Sequence, residues 1–213
     1  MNLLIPFLKR SSFDVVCLSE LDFCDLEKIE NILKMKGIFV PMFSDEKENG
    51  ICILTKHKII SHKSFFYYKK DEKSKRPANI DRVLLVAKIE IDGKDYDVAT
   101  THFTWTKDGK ADDFQRRDLK KLFTVLDNYP ELVFCGDFNA PRGWEIYLKL
   151  IKRYKDSVPL IYKSSLDPKL HKAGLLNFVV DHLFTSPSYQ AKNVKLISGV
   201  SDHKAIVAEI YKK

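Results

Sequence analysis

The chain alternates short apolar runs with charged or turn-forming stretches, and the runs fall into helical and strand-like kinds. Near the N-terminus, "NLLIPFLKR" places Leu3, Leu4, Phe7 and Leu8 on one helical face. "DVVCLSE" is a continuous apolar run of strand length that ends on Glu20. A helix over "LEKIENILKMK" follows, with Asp25 as its cap and Gly37 as its stop. The strands "IFVPMF" and "GICILTK" flank the charged turn "SDEKENG", and "IISHKSFFYY" reads as another strand. "DRVLLVAKIEI", an Asp-Gly turn and "YDVATTHF" read as a hairpin. "FQRRDLKKLFTVLDNY" is an amphipathic helix with Phe114, Leu119, Leu122, Phe123 and Leu126 inward. The strand "ELVFCGDFN" and the helix "GWEIYLKLIKRY" lead to further strands in "NFVVDHLFTSP", "NVKLISG" and "HKAIVAEIY". The polar "KKDEKSKRPAN" reads as a solvated basic loop. With no internal repeat or linker, residues 1–213 form one mixed α/β or α+β domain.

The strand ends carry the chemistry. An apolar strand stops on Glu20, on His102 after "DVATT", and on Asp137 and Asn139 after "LVFCG". Asp181 follows "NFVV", and Asp202-His203 precede "KAIVAEI". One such residue is usually a turn former, but ends of strands in a sheet lie along one edge, where these groups can converge. Strand alternation turns Asp137 and Asn139 the same way, with Phe138 opposite. The carboxylates offer hard oxygens suited to Mg²⁺ or Mn²⁺, and no Cys/His spacing suggests zinc. A histidine beside a carboxylate is a poised acid or base. A structural polar network is the competing reading, at the cost of burying several charges.

Composition narrows the partners. The 213 residues are 45% hydrophobic and 31% charged, an ordinary globular balance. No stretch approaches the roughly 20 apolar residues of a membrane span, and the N-terminal charges follow the apolar run, unlike a signal peptide. Lys plus Arg number 36 against 29 Asp plus Glu, a net charge of +7, which favours anionic partners such as nucleic acid, phosphorylated ligands or anionic lipid, and equally serves solubility. Four cysteines without a CxxC pair read as reduced thiols of a cytoplasmic, monomeric protein.

Taken in order, "DVVCLSE", "TTHF", "CGDFNAPRG", "VDHLF" and "SDH" resemble the successive motifs of the endonuclease/exonuclease/phosphatase superfamily, with its deoxyribonuclease I-like fold. The resemblance implies a four-layer α+β sandwich: two mixed β-sheets face to face, flanked by helices. It implies a divalent-metal hydrolase of phosphoester bonds, using Mg²⁺ or Mn²⁺. By the same resemblance Glu20 binds the metal, with Asp202 near it. Asp137 orients or activates the attacking water, and Asn139 holds the phosphate. His203 is the catalytic histidine, oriented by Asp181, and His102 contacts the scissile phosphate. Asp81 is a candidate partner for His102, with a surface ion pair to Arg82 as the alternative. The family's usual opening strand, which ends on an asparagine, has no counterpart here, because the helix at Leu3–Leu8 fills that place. A weakened enzyme is one consequence.

The first expectation is a nuclease acting on DNA or RNA. The alternatives are a phosphomonoesterase for a small phosphorylated metabolite, or a catalytically weakened nucleic-acid-binding member. Trp105 is a candidate for base stacking, and Arg142, Lys73, Lys75 and Arg76 are candidates for phosphate contacts. His57, His62, His171 and His182 are set aside as surface or opposite-face residues.

Overall fold

A computed structural model describes residues 2–42, 48–71, 73–76 and 78–213. The turn expected in "SDEKENG" falls mostly outside them. In chain order the elements are α1 (Leu4–Arg10), β1 (Val15–Asp22), α2 (Phe23–Leu33), β2 (Lys36–Pro41), β3 (Asn49–Thr55), β4 (Lys58–Tyr68), β5 (Arg82–Ile91) and β6 (Lys94–His102). They continue with α3 (Asp113–Leu126), β7 (Val133–Asp137), α4 (Glu145–Leu150), the short β8 (Lys155–Asp156), β9 (Asp181–Thr185), β10 (Tyr189–Ile197) and β11 (Ala205–Lys212).

The central layer is a six-stranded sheet in the order β4-β5-β6-β7-β9-β8. Its ladders are antiparallel except β6–β7, which is parallel because α3 carries the chain back across the sheet. The pleat divides the strands' side chains between two cores. On one face Leu84, Val86, Ala99 and Phe134 pack against Leu119, Leu122 and Leu126 of α3 and Leu150 of α4. On the other, Val83, Leu85, Ala87 and Ile89 meet Ile38 and Val40 of β2 and Ile51 and Ile53 of β3. Behind that second sheet lie α1 and α2, whose Leu8 and Ile29 pack on Val16 and Leu54. Helix, sheet, sheet, helix is the expected four-layer α+β sandwich.

The second sheet is in two pieces. β1-β3-β2 form one, and β10-β11 form the other over Val133 and Leu183 of the central sheet. Tyr96 packs against both pieces, so they share one layer with a gap between them.

Local details differ from the sequence pattern at α2. Asp25 sits in the first turn rather than capping it, and the helix ends at Lys34 in the left-handed region (φ 56°). Gly37 is already in β2, where its N–H donates to Glu30 Oε1 at 2.6 Å. The basic loop is also tied down. Arg76 is buried, donates to Asp118 Oδ1 at 2.8 Å, and stacks 3.5 Å above the Tyr68 ring. Thr104 Oγ1 donates to the other oxygen of Asp118 at 2.6 Å. The expected phosphate-contact role for Arg76 is therefore excluded: its guanidinium is consumed by a buried carboxylate on α3. Asp118→Ala leaves that guanidinium buried and unpaired, so urea denaturation should show a loss of about 3–5 kcal/mol. An unchanged midpoint would refute this account of the loop.

Candidate active site

The site sits at the ends of the central strands, beside the gap. Its middle is built by the parallel pairing of β6 with β7, which places His102 opposite Asp137 in register. One residue earlier, Gly136 opposes Thr101; a Cβ at Gly136 would lie 2.0 Å from the Thr101 carbonyl oxygen, and its φ is +142°. Only glycine allows the two strands this approach. β7 ends at Asp137, whose Oδ1 accepts the Asn139 N–H at 2.7 Å, and Asn139 turns left-handed (φ 47°). Phe138 is buried in the core as alternation requires, but Asn139 takes its direction from this turn and not from the pleat.

Glu20, His102, Asp137, Asp181, Asp202 and His203 all line one cavity. Glu20 reaches it through a bulge: the β1–β3 register shifts between Leu18 and Leu21, and Glu20 adopts φ 56°. Its Oε1 lies 3.6 Å from His102 Nδ1, and Asp137 Oδ2 lies 3.5 Å from His102 Nε2. Asp181 Oδ2 is 2.8 Å from His203 Nδ1. One ligand atom each from Asp137, Asp181 and His203 lie within 4.8 Å of one another. Ser165 Oγ accepts the Val180 and Asp181 N–H groups, and its carbonyl accepts the Lys204 N–H, so the two partners are set from one hydroxyl-bearing residue.

Asn139 stands apart. Its Nδ2 donates to the Phe103 carbonyl at 3.0 Å, and it is not among the cavity-lining residues. Asp81 is not a partner of His102 either; it accepts the Lys70 N–H at 2.6 Å. Among the described residues Arg82 makes no surface ion pair. It is buried behind His102 and donates to the His102 carbonyl at 3.1 Å. Arg142 is likewise occupied, by Asp156 and by the carbonyls of Val158, Pro159 and Tyr162. Trp105 remains 43% exposed. His182 does face away, buried between Asp156 and the Ala140 carbonyl.

Sequence reasoning missed two side chains here. The His171 ring lies 6.1 Å from that of His203, held by a loop in which Asp167 accepts the Gly199 N–H at 2.7 Å. A lone histidine in a polar stretch gave no signal. Arg82 did give one: a cation opening a long apolar run.

Three neighbouring groups are driven in different directions. Burial, then the Asp181 charge, lifts Asp137 to about 7, with Glu20 adding to the rise. Burial, then Arg82, pushes His102 down to about 3, so its imidazole is neutral. Burial alone would lower His203, but the charge and hydrogen bond of Asp181, with Asp137 and Asp202, raise it to about 10. Four carboxyl groups, those of Glu20, Asp137, Asp181 and Asp202, thus line the cavity together with His102 and His203. Among the described residues, buried His102 Nδ1 has no hydrogen-bond partner. Hard oxygen donors, several carboxyl groups in one cleft and an unpartnered ring nitrogen all fit a divalent cation.

Among solved structures, the fold is similar to an endonuclease/exonuclease/phosphatase from Bacteroides vulgatus, with a TM-score of 0.77 at 17% identity over 98% of this chain and 88% of that one. It is similar to a mannosyl-6-phosphatase of Bacteroides thetaiotaomicron, with TM-score 0.76 and 15% identity over 97% and 88% of the two chains. It is also similar to the human Nocturnin catalytic domain with bound sulfate, with TM-score 0.70 and 19% identity over 94% and 81%. No curated protein matches the sequence. The model of the Endonuclease/Exonuclease/phosphatase family matches residues 1–203. The strand-end acids and histidines are thus carried by a chain that belongs to the endonuclease/exonuclease/phosphatase family.

Proposed function

We propose that this protein is a divalent-cation-dependent phosphodiester hydrolase acting on DNA or RNA. The observation that supports it most is the cluster of Asp137, Asp181 and His203 within 4.8 Å at one end of a cavity. Glu20 and Asp202 would hold Mg²⁺ or Mn²⁺, which would supply positive charge beside the phosphoryl oxygens. Asp137, lifted to about 7, takes a proton from the attacking water near neutral pH. His203, kept protonated by Asp181, donates to a phosphate or leaving-group oxygen. Neutral His102 offers an N–H to the same phosphate. Asn139 acts at one remove, by fixing the Phe103 carbonyl next to His102. The half-exposed Trp105 and the +7 charge favour nucleic acid as substrate.

A second reading, a phosphomonoesterase for a small phosphorylated metabolite, is favoured by the burial of Arg76 and the full engagement of Arg142. Two of the candidate cations for tracking a polynucleotide backbone are already engaged by oxygens of this chain.

A panel of labelled DNA, RNA, abasic DNA and small phosphoesters with Mg²⁺ or Mn²⁺ separates the readings. Cleavage of the nucleic acids is expected, and phosphate release from small esters alone would select the second reading. Asp137→Asn and His203→Gln should each lower kcat by roughly 10²–10⁴-fold. EDTA should abolish turnover, and full activity in EDTA would end the proposal.

Stability has its own pH signature. The folded His203 pKa of about 10 lies above the ordinary 6.5, so its contribution is complete below about 6.5 and is lost as pH rises through about 10. In EDTA, unfolding free energy should therefore fall between about pH 7 and 10, and His203→Gln should flatten that part of the curve. Parallel curves for the two proteins would contradict the Asp181–His203 pairing.

A further inference from the structure

The loop from Asp167 to Gly174 is fastened to the residues that carry His203. Leu166 and His203 form an isolated antiparallel bridge, and the Asp167 N–H donates to the Asp202 carbonyl at 2.8 Å. Asp167 is buried, and its carboxylate accepts three backbone N–H groups: those of Lys169 at 2.9 Å and Leu170 at 3.3 Å in its own loop, and that of Gly199 at 2.7 Å in the turn before β11. One side chain thus joins the two stretches, so what the loop carries keeps a fixed place beside the cluster.

The loop carries Leu170, which lines the cavity, and His171. The His171 N–H donates to the Asp167 carbonyl at 2.9 Å, and the His171 carbonyl accepts the Gly174 N–H at 2.8 Å, with Gly174 left-handed (φ 67°). That turn brings the Ala173 N–H to 3.2 Å from His171 Nδ1. A ring nitrogen that accepts a hydrogen bond holds no proton, so the neutral imidazole carries its proton on Nε2. The ring stands 6.1 Å from that of His203, edge to face at 64°. His203 uses Nδ1 on Asp181, which leaves its Nε2 for substrate. Two imidazoles, each with one nitrogen engaged by this chain and the other able to donate, therefore lie close enough for one small substrate to touch both.

Charge selects what His171 meets. Asp167, the loop's one acid, has its carboxylate taken up by N–H groups, whereas Lys169 and Lys172 are exposed on either side of His171. An N–H donor flanked by two cations suits a phosphate better than a base or a sugar. We propose, on the phosphoester-hydrolase reading above, that His171 and its loop form a subsite for a second phosphate group of the substrate, held by the His171 Nε2–H next to the phosphate at His203. That phosphate is the neighbouring one of a polynucleotide or the second one of a doubly phosphorylated metabolite.

Two substrate pairs test this: a dinucleoside monophosphate with and without an added terminal phosphate, and a sugar bisphosphate with its monophosphate. In at least one pair kcat/KM should favour the second phosphate by at least roughly tenfold, through KM, as expected of a hydrogen bond to a charged group. His171→Phe, which keeps a ring against His203 but has no donor, should abolish that preference. His171→Gln, which restores a donor, should recover most of it. A preference confined to the nucleotides supports the subsite with a polynucleotide as the source, and one confined to the sugars supports it with a metabolite. No preference in either pair, or a preference that survives in His171→Phe, would overturn the subsite. Binding is read apart from turnover, in EDTA, from the His171 imidazole NMR signals, identified by their loss in His171→Phe. With at least one doubly phosphorylated compound they should shift at a concentration roughly tenfold below that needed with its singly phosphorylated partner. Turnover of nothing in the panel would end the hydrolase reading and leave this titration to decide the subsite; equal titrations in both pairs would then overturn it.

Discussion

The parallel pairing of β6 with β7 is the constraint on which the site depends. It holds only because Gly136 presents no side chain to the Thr101 carbonyl, 2.0 Å from where a Cβ would stand. That contact puts His102 and Asp137 side by side at the strand ends. α3, the crossover the parallel ladder requires, then clamps both exits: Gln115 Nε2 donates to the carbonyls of Thr104 at 2.8 Å and Asn139 at 3.1 Å. The same helix supplies Asp118, which secures Thr104 and Arg76. Packing, topology and the placement of the polar groups are one problem here, solved by one strand pair and its connection.

Placing acids so close is unfavourable, and the structure shows where the strain goes. Asp137 is held near neutrality by burial and by Asp181, while His203 beside Asp181 is held as a cation. His102 is kept neutral by burial and by Arg82 at its back. Apolar cores on both faces of the central sheet supply the stability that lets this arrangement persist. Groups whose protonation is perturbed by burial and by specific charge partners cluster at functional sites.

The second sheet shows a different economy. Its two pieces bury their inner faces on the central sheet, yet among the described residues each leaves one edge without strand partners at the same cavity. Edge strands with half-buried apolar side chains, such as Ile206 and Ile210 in β11, ordinarily invite pairing. The edges border the acidic cluster.

The linear order of residues was enough to determine the fold class and the polar strand ends. The apolar runs and turn signals act locally, and motifs such as "GDFN" and "SDH" keep their spacing in any folded context. What only the tertiary structure decided was which neighbour each side chain meets. Asn139 turned to the Phe103 carbonyl because the strand had already ended, and Asp81 turned to Lys70. Arg76, Arg82 and Arg142 read as surface cations, yet each found buried oxygens on segments distant in the chain. His171 came to His203 through a loop pinned by Asp167. Periodicity encodes which face a residue occupies; it carries no information about what the fold brings against that face, because such contacts arise between residues far apart in sequence.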